Sequence, residues 1–107
     1  MKKTILWILA IVMLGSLCEA SVVKGQRAYM KLCKKCHKSG GKLAPSHTRA
    51  EWEDYFANDA KLLKQAHQND KAAMEKLTSK RFEKSLRHLR QFFVKYAKDS
   101  GNVPACN

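Results

Sequence analysis

The sequence predicts an all-α, single-domain protein, and three observations support this. The chain has 107 residues, which is enough for one small domain. It holds five Gly and two Pro, and 45 % of its residues are hydrophobic, which excludes disordered and Gly/Pro-rich classes. Apolar residues recur at helical spacing, and no β-rich run follows the first 20 residues. Because so short a domain buries only about 60–65 % of its unfolded surface, a prosthetic group or a covalent staple is expected to stabilise it.

The first 20 residues have the three parts of an export signal. A positively charged start precedes an apolar run from Ile5 to Leu14, and a small-residue ending closes at Ala20. Residues 1–20 are therefore predicted to be a signal peptide, and residues 21–107 the mature domain. The run is shorter than the roughly 20 apolar residues that span a bilayer, so no stable membrane anchor is expected. The predicted location is the periplasm of a Gram-negative bacterium.

The chain is strongly basic, with 21 Lys and Arg against nine Asp and Glu and a formal charge of +12. Removal of residues 1–20 takes away two lysines and one glutamate, so the mature chain carries +11. The basic side chains are spread along the chain without interleaved aromatic residues, so nucleic acid is not a predicted partner. Such a charge favours association with acidic surfaces of other proteins.

Cys33-Lys34-Lys35-Cys36-His37 has the spacing of a c-type haem attachment site. Two thiols three positions apart reach the two vinyl groups of one haem, and the imidazole that follows lies under the iron. Cys33, Cys36 and His37 are therefore the predicted binding residues for one covalent haem c, with His37 as an iron ligand. A thioredoxin-like thiol pair requires a βαβ context, and a closed zinc site requires a second pair of Cys or His ligands. The sequence shows neither pattern.

The residues before the motif extend the pattern. Gly25 stands eight positions before Cys33, and Tyr29 stands four positions before it. With the motif, they resemble the first helix of class I mono-haem cytochromes c. The resemblance implies a small helical domain wrapped around one haem, with crossed first and last helices, and an electron carrier rather than an enzyme. Gly25 is expected to let a second helix cross closely, with Tyr29 on the same face.

Further helices are predicted after the motif. Residues 38–45 form a Gly-bearing loop. Thr48 and Glu51 have capping-box spacing and open a helix. That helix carries three aromatic residues on one face, Trp52, Tyr55 and Phe56. A third helical stretch covers about residues 59–76.

The last helix is predicted from a continuous apolar stripe. It begins after a Thr78/Ser79 cap and extends to the turn at Asp99–Gly101. The stripe consists of Phe82, Leu86, Leu89, Phe93 and Tyr96. This stripe is the expected packing partner of Gly25 and Tyr29.

The sixth iron ligand has several candidates. In class I cytochromes c a distal methionine lies in the segment that leads into the last helix, and the resemblance therefore implies Met74 as the ligand. Glu75 stands where a proline often follows that methionine. His67 is the bis-histidine alternative, and an open site is the third possibility. A methionine raises the reduction potential of the iron, whereas a second histidine generally lowers it.

Together these features predict a periplasmic mono-haem c-type cytochrome that carries electrons between respiratory-chain components. Its expected partners are a membrane cytochrome complex, an oxidase or a periplasmic reductase with acidic docking patches. Four lysines near the expected haem edge would speed docking, Lys34, Lys35, Lys38 and Lys42. Two alternatives stay open: a haem protein whose open distal site binds, senses or reduces a small molecule, and a haem subunit of a larger complex. Cys106 is left as a free thiol or a site of disulfide dimerisation.

Overall fold

The computed structural model describes residues 20–103, and this part of the chain is all-α, without a β-strand. Helix α1 covers residues 20–32, α2 Lys34–His37, α3 Gly40–Leu43, α4 Arg49–Ala66, α5 Lys71–Leu77 and α6 Lys80–Lys95. A 3₁₀-helix covers Ala44–Ser46. Between residues 20 and 103 no helix is long and apolar enough to cross a membrane. The predicted signal peptide, apart from Ala20, and Cys106 lie outside the described residues.

Helices α1 and α6 cross at Gly25, as the sequence predicted. A Cβ atom at Gly25 would lie 2.0 Å from the His88 carbonyl oxygen and 2.8 Å from Cβ of Phe92. Only a glycine therefore permits the two backbones to approach so closely. One turn later Tyr29 packs on Phe92 and Phe93, with ring centroids 5.8 and 5.7 Å apart. The crossing fixes the end of α1, and with it the start of the cysteine motif.

The core includes a broad surface of α6. The four buried residues of this helix are Phe82, Leu89, Phe92 and Phe93. Phe92 was not part of the predicted stripe, because consecutive helical residues project about 100° apart. The Phe92 and Phe93 rings both pack on Tyr29 of α1, and Phe93 also packs on Trp52, with ring centroids 4.4 Å apart. The sequence pattern identified only part of this buried surface.

The start of α6 agrees with the prediction, whereas its end does not. The Ser79 hydroxyl accepts a hydrogen bond from the Phe82 amide at 3.2 Å, which confirms the predicted cap. The helix ends at Lys95, before the predicted turn at Asp99–Gly101. The chain leaves the helix because the Lys98 amide donates a hydrogen bond to the His47 carbonyl at 2.9 Å, next to the start of α4.

Helix α4 begins with the predicted capping box, in which the Thr48 hydroxyl and the Glu51 side chain each accept the other residue's amide. Inside the helix, Ala57 is extended, and Asn58, Asp59 and Ala60 have φ of 53°, 58° and 56°. Left-handed backbone at three consecutive non-glycine residues is uncommon and costly. This kink redirects the chain before the last turns of α4.

Two predicted segments have different bounds in the structure. The helical stretch predicted for residues 59–76 is divided, because α4 ends at Ala66 and α5 begins after the Asp70 cap. The Asp70 carboxylate accepts the Ala73 amide at 3.0 Å and starts a new helix there. The loop predicted for residues 38–45 contains α3 and the start of the 3₁₀-helix.

Candidate haem site

A cavity of about 530 Å³ lies between the motif segment, α4, α5 and α6. This volume is within the range of about 300–1,000 Å³ that small-molecule and cofactor sites occupy. Its wall is mainly apolar and includes Leu43, Trp52, Phe56, Leu63, Leu77 and Phe82. The Trp52 indole N–H donates to the Ala44 carbonyl at 2.8 Å, which fixes the ring that forms one side of the wall. An apolar cavity of this kind excludes water from a bound group.

The three motif residues predicted to bind haem all line this cavity. Cys33 follows α1 directly, and its amide donates to the Tyr29 carbonyl at 2.8 Å. The Cys36 and His37 amides both bond to the Cys33 carbonyl, at 3.2 and 3.0 Å. This tight turn brings both thiols and the imidazole to one side of the cavity. Cys33 is half-buried, whereas Cys36 and His37 are exposed at its opening.

The environment of Cys33 does not favour a thiol redox pair. Burial raises the pKa of the Cys33 thiol to about 11; the nearby Lys76 charge opposes this rise, and Cys36 adds to it. The thiol is therefore protonated at neutral pH. Reactive Cys-x-x-Cys pairs of the thioredoxin type instead have an attacking thiol of lowered pKa. The cavity environment thus fits cysteines that anchor a group.

His67, the residue that follows α4, faces His37 across the cavity. The two Nε2 atoms are 3.5 Å apart, and the ring centroids are 5.8 Å apart. His67 Nδ1 lies 2.7 Å from the Leu63 carbonyl oxygen. Burial and then the charge of His67 lower the pKa of His37, and a neutral imidazole is the form that binds metals. The structure thus brings two imidazoles together at the place where the motif predicts iron.

Met74, the predicted sixth ligand, is not brought to the cavity. Ala73 and Lys76 line the cavity, whereas Met74 lines a shallow surface depression with Lys71 and Thr78. A helix turns by about 100° per residue, so Met74 projects to a different side of α5 from Ala73. The alternative candidate, His67, is the one that the structure places opposite His37.

Sequence reasoning did not identify the groups that orient the side chains of His67 and His47 at the cavity. The Leu63 carbonyl, four residues before His67, accepts a hydrogen bond from its ring. This i to i+4 spacing is visible in the sequence, but it has meaning only where the residues share a helix. His47 also lines the cavity; its Nδ1 lies 3.2 Å from a Glu51 carboxylate oxygen, and its ring packs on Trp52 at 4.8 Å.

The ligand set of the described chain fits haem. Between residues 20 and 103 no group of three or more His, Cys, Asp and Glu side chains converges to hold a metal ion. A structural zinc site needs four such ligands, whereas a porphyrin takes one or two axial ligands from the protein. Two thiols, at least one imidazole and apolar walls are what a covalent haem requires, and the cavity supplies all of them.

The cytochrome c family model matches residues 22–100, which is most of the chain. The chain belongs to the cytochrome c family. This confirms the all-α cytochrome fold that the sequence predicted and one covalently attached haem c as the cofactor. Members of this family are generally electron carriers that work with redox partner proteins, rather than enzymes. No curated protein and no solved structure matches the chain significantly.

Exposed lysines lie within the cysteine motif of this cytochrome and just after it. The four lysines that the sequence analysis singled out are all exposed, Lys34, Lys35, Lys38 and Lys42. Lys35 also lines the cavity, and half-buried Lys76 lines it from α5. Positive charge is therefore concentrated beside the exposed Cys36 and His37.

Proposed function

We propose that this protein is a periplasmic mono-haem cytochrome c that carries electrons between components of a respiratory chain, with its haem held by Cys33, Cys36 and His37. The observation that carries the proposal is that these three side chains line one apolar cavity in a chain of the cytochrome c family. Export is supported by the signal-like pattern of residues 1–20.

Each motif residue has a defined role in this proposal. Cys33 and Cys36 would hold the haem, each by adding its S–H group across one vinyl double bond to form a thioether without loss of atoms. His37 would bind the iron through Nε2. Bound haem supplies a one-electron couple at the iron. The aromatic wall, with Trp52 and Phe56, excludes water and so tunes the reduction potential.

The lysines of the motif segment support a role in docking. Lys34, Lys35, Lys38 and Lys42 are exposed within the motif and just after it, and Lys35 lines the cavity. Positive charge at a docking surface accelerates encounters with acidic patches. A membrane cytochrome complex, an oxidase or a periplasmic reductase with such a patch is the proposed class of partner. Transient electrostatic encounters suit a carrier that must dissociate after each transfer.

Haem attachment and export are tested on protein produced in a host with c-type haem maturation. We expect a mature chain that begins at Ser21, carries one haem through denaturing electrophoresis and is recovered in the periplasmic fraction. The double variant Cys33→Ser, Cys36→Ser should lose covalent haem, whereas the matched control Cys106→Ser should keep it. A wild type without covalent haem, or a double variant that retains it, would contradict the proposed haem site. Recovery in the cytoplasm would contradict the proposed location.

The docking role is tested by the rate at which the reduced protein is oxidised by anionic ferricyanide and by cationic hexaammineruthenium. Raising the ionic strength should slow the first reaction and speed the second. Lys35→Glu with Lys38→Glu should lower the ferricyanide rate about tenfold, the lower end of the range for electrostatic steering. Lys80→Glu with Lys84→Glu changes the net charge equally at exposed positions of α6. If the two double variants lost the ferricyanide rate equally, the lysines of the motif segment would have no special role in docking.

A further inference from the structure

We infer that His67 is the sixth ligand of the iron, so that this cytochrome has bis-histidine ligation. The inference rests on the proposed haem site of Cys33, Cys36 and His37 and specifies its distal side. It replaces Met74, which the family resemblance implied. The sixth ligand decides whether the iron is low-spin and whether small molecules reach it. It also sets the reduction potential, which is higher with a methionine ligand than with a second histidine.

The two imidazoles point directly at each other. In a five-membered ring with bonds of about 1.33 Å, each atom lies about 1.1 Å from the ring centre. With the Nε2 atoms of His37 and His67 3.5 Å apart, the ring centroids reach their maximal separation of about 5.7–5.8 Å only when the rings are collinear. The observed centroid distance is 5.8 Å. Two collinear imidazoles with facing Nε2 atoms have the arrangement of axial ligands on opposite sides of one metal.

The distance between the nitrogens, 3.5 Å, lies between that of a hydrogen bond and that of a metal-binding pair. Hydrogen bonds with an N–H donor span about 2.7–3.2 Å, and the His37 to His67 contact is longer, at 3.5 Å. Imidazole nitrogens bind metals at about 2.0–2.1 Å, so two on opposite sides of an ion lie about 4 Å apart. The observed separation is therefore about 0.5 Å short of that of two axial ligands.

The His67 ring is held in the tautomer that a ligand requires. A carbonyl oxygen only accepts hydrogen bonds, so the 2.7 Å contact between Nδ1 and the Leu63 carbonyl requires the proton on Nδ1. Nε2 then carries a lone pair directed at His37. Histidines that bind metals commonly donate their other ring N–H to a carbonyl in this way, which fixes the orientation of the ring.

The backbone holds His67 in place. Its amide donates to the Lys64 carbonyl at 3.1 Å, and its carbonyl accepts the Asp70 amide at 2.9 Å. His67 thus lies in a tight turn between α4 and α5 and not in a long loop. The nearest rival inside the cavity is His47, whose Nδ1 and ring contact Glu51 and Trp52. Met74 lies outside the cavity: it packs partly buried against the core and lines the surface depression described above.

The test uses the mature holoprotein and compares His67→Ala with Met74→Leu. Wild type should be low-spin in both oxidation states, without a methionine-to-iron charge-transfer band, and should not bind carbon monoxide when reduced. His67→Ala should become high-spin and bind one carbon monoxide per haem, and added imidazole should restore the low-spin spectrum. Met74→Leu, the matched control, should behave as wild type. Rescue by imidazole also shows that the variant has folded around its haem.

A second variant guards against an indirect effect. His67→Met should gain the charge-transfer band and a more positive reduction potential than wild type. The inference is overturned if holoprotein His67→Ala stays low-spin without imidazole, if Met74→Leu loses the low-spin spectrum, or if wild type with covalent haem is high-spin. Absence of covalent haem in wild type overturns the proposed function instead, and denaturing electrophoresis distinguishes that result before any spectrum is interpreted.

Discussion

Substitution of Gly25 by alanine tests the packing of the first helix on the last. The new Cβ atom would lie 2.0 Å from the His88 carbonyl oxygen, 2.7 Å from the His88 carbonyl carbon and 2.8 Å from Cβ of Phe92. Carbon to carbonyl oxygen contacts are otherwise no closer than about 3.3 Å, so the helices must separate by about 1.3 Å. The neighbouring atoms belong to a helix backbone and have no rotamer by which to move away.

The expected cost follows from two opposing effects. Overpacking costs about 1–3 kcal/mol, and the upper end applies because the separation also loosens Tyr29, which is 1 % exposed. Alanine gains about 1 kcal/mol in helix propensity over glycine. The net loss in free energy of unfolding is therefore about 2 kcal/mol, or about 8–16 °C in Tm for a domain of this size.

The measurement is guanidinium unfolding of the holoprotein, followed by far-ultraviolet circular dichroism. Arg27→Ala, at an exposed position of the same helix, is the control and should change the free energy of unfolding by no more than about 0.5 kcal/mol. If Gly25→Ala were as stable as Arg27→Ala with an unchanged m-value, the close crossing of α1 and α6 would be refuted.

Three further predictions follow from contacts elsewhere in the fold. Tyr29→Phe removes the hydroxyl that donates to the Lys38 carbonyl at 2.8 Å and should cost about 1 kcal/mol in the same unfolding assay; an unchanged stability would contradict this bond. The Arg49 amide donates a hydrogen bond to the Asp99 carboxylate, and this bond lowers the pKa of Asp99 in the folded protein below its ordinary value of 3.8. The stability that the bond supplies is therefore fully present above pH 3.8 and is lost as the pH falls through the lower pKa of the folded state. The free energy of unfolding of Asp99→Asn should therefore fall less than that of wild type between about pH 5 and about pH 2. If the two proteins lost equal free energy over this range, Asp99 would not contribute to the acid sensitivity. The two facing imidazole planes are 80° apart, so the ferric holoprotein should give a highly anisotropic low-spin paramagnetic resonance signal; a rhombic signal would show near-parallel planes.

The fold was predictable where one local pattern was enough. The capping box at Thr48 and the Ser79 cap were correct because each depends on side chains within four residues of each other. The crossing at Gly25 was correct because a glycine on the apolar face of a helix leaves room for a second backbone to approach. The kink at Asn58–Ala60 had only a weak signal: Asn58 and Asp59 tolerate a left-handed backbone, but Ala60 does not favour one and no glycine marks the segment.

The buried surface of α6 shows where pattern reading stops. A stripe of apolar residues identifies the face with the strongest periodicity, and Phe93 lies on it. Phe92, three residues after Leu89, borders that stripe and widens the buried surface of the helix, since it packs on Tyr29 of α1. No local pattern shows that a neighbouring helix will cover a given position, so the full width of the core emerged only in three dimensions.

The sequence alone predicted the attachment chemistry, because the two cysteines and His37 are close in the chain and a single turn suffices to bring them to one side. It also determined the basic charge of the motif segment, since Lys34 and Lys35 lie within the motif itself. The partner of His37 was decided by tertiary structure. His67 is 30 residues away, and its position depends on the kink in α4 and the new start of α5 after Asp70. The Asp70 cap is local, but long-range packing decides that the turn between α4 and α5 returns to His37. A one-residue change in helical phase separates Ala73, which lines the cavity, from Met74, which does not.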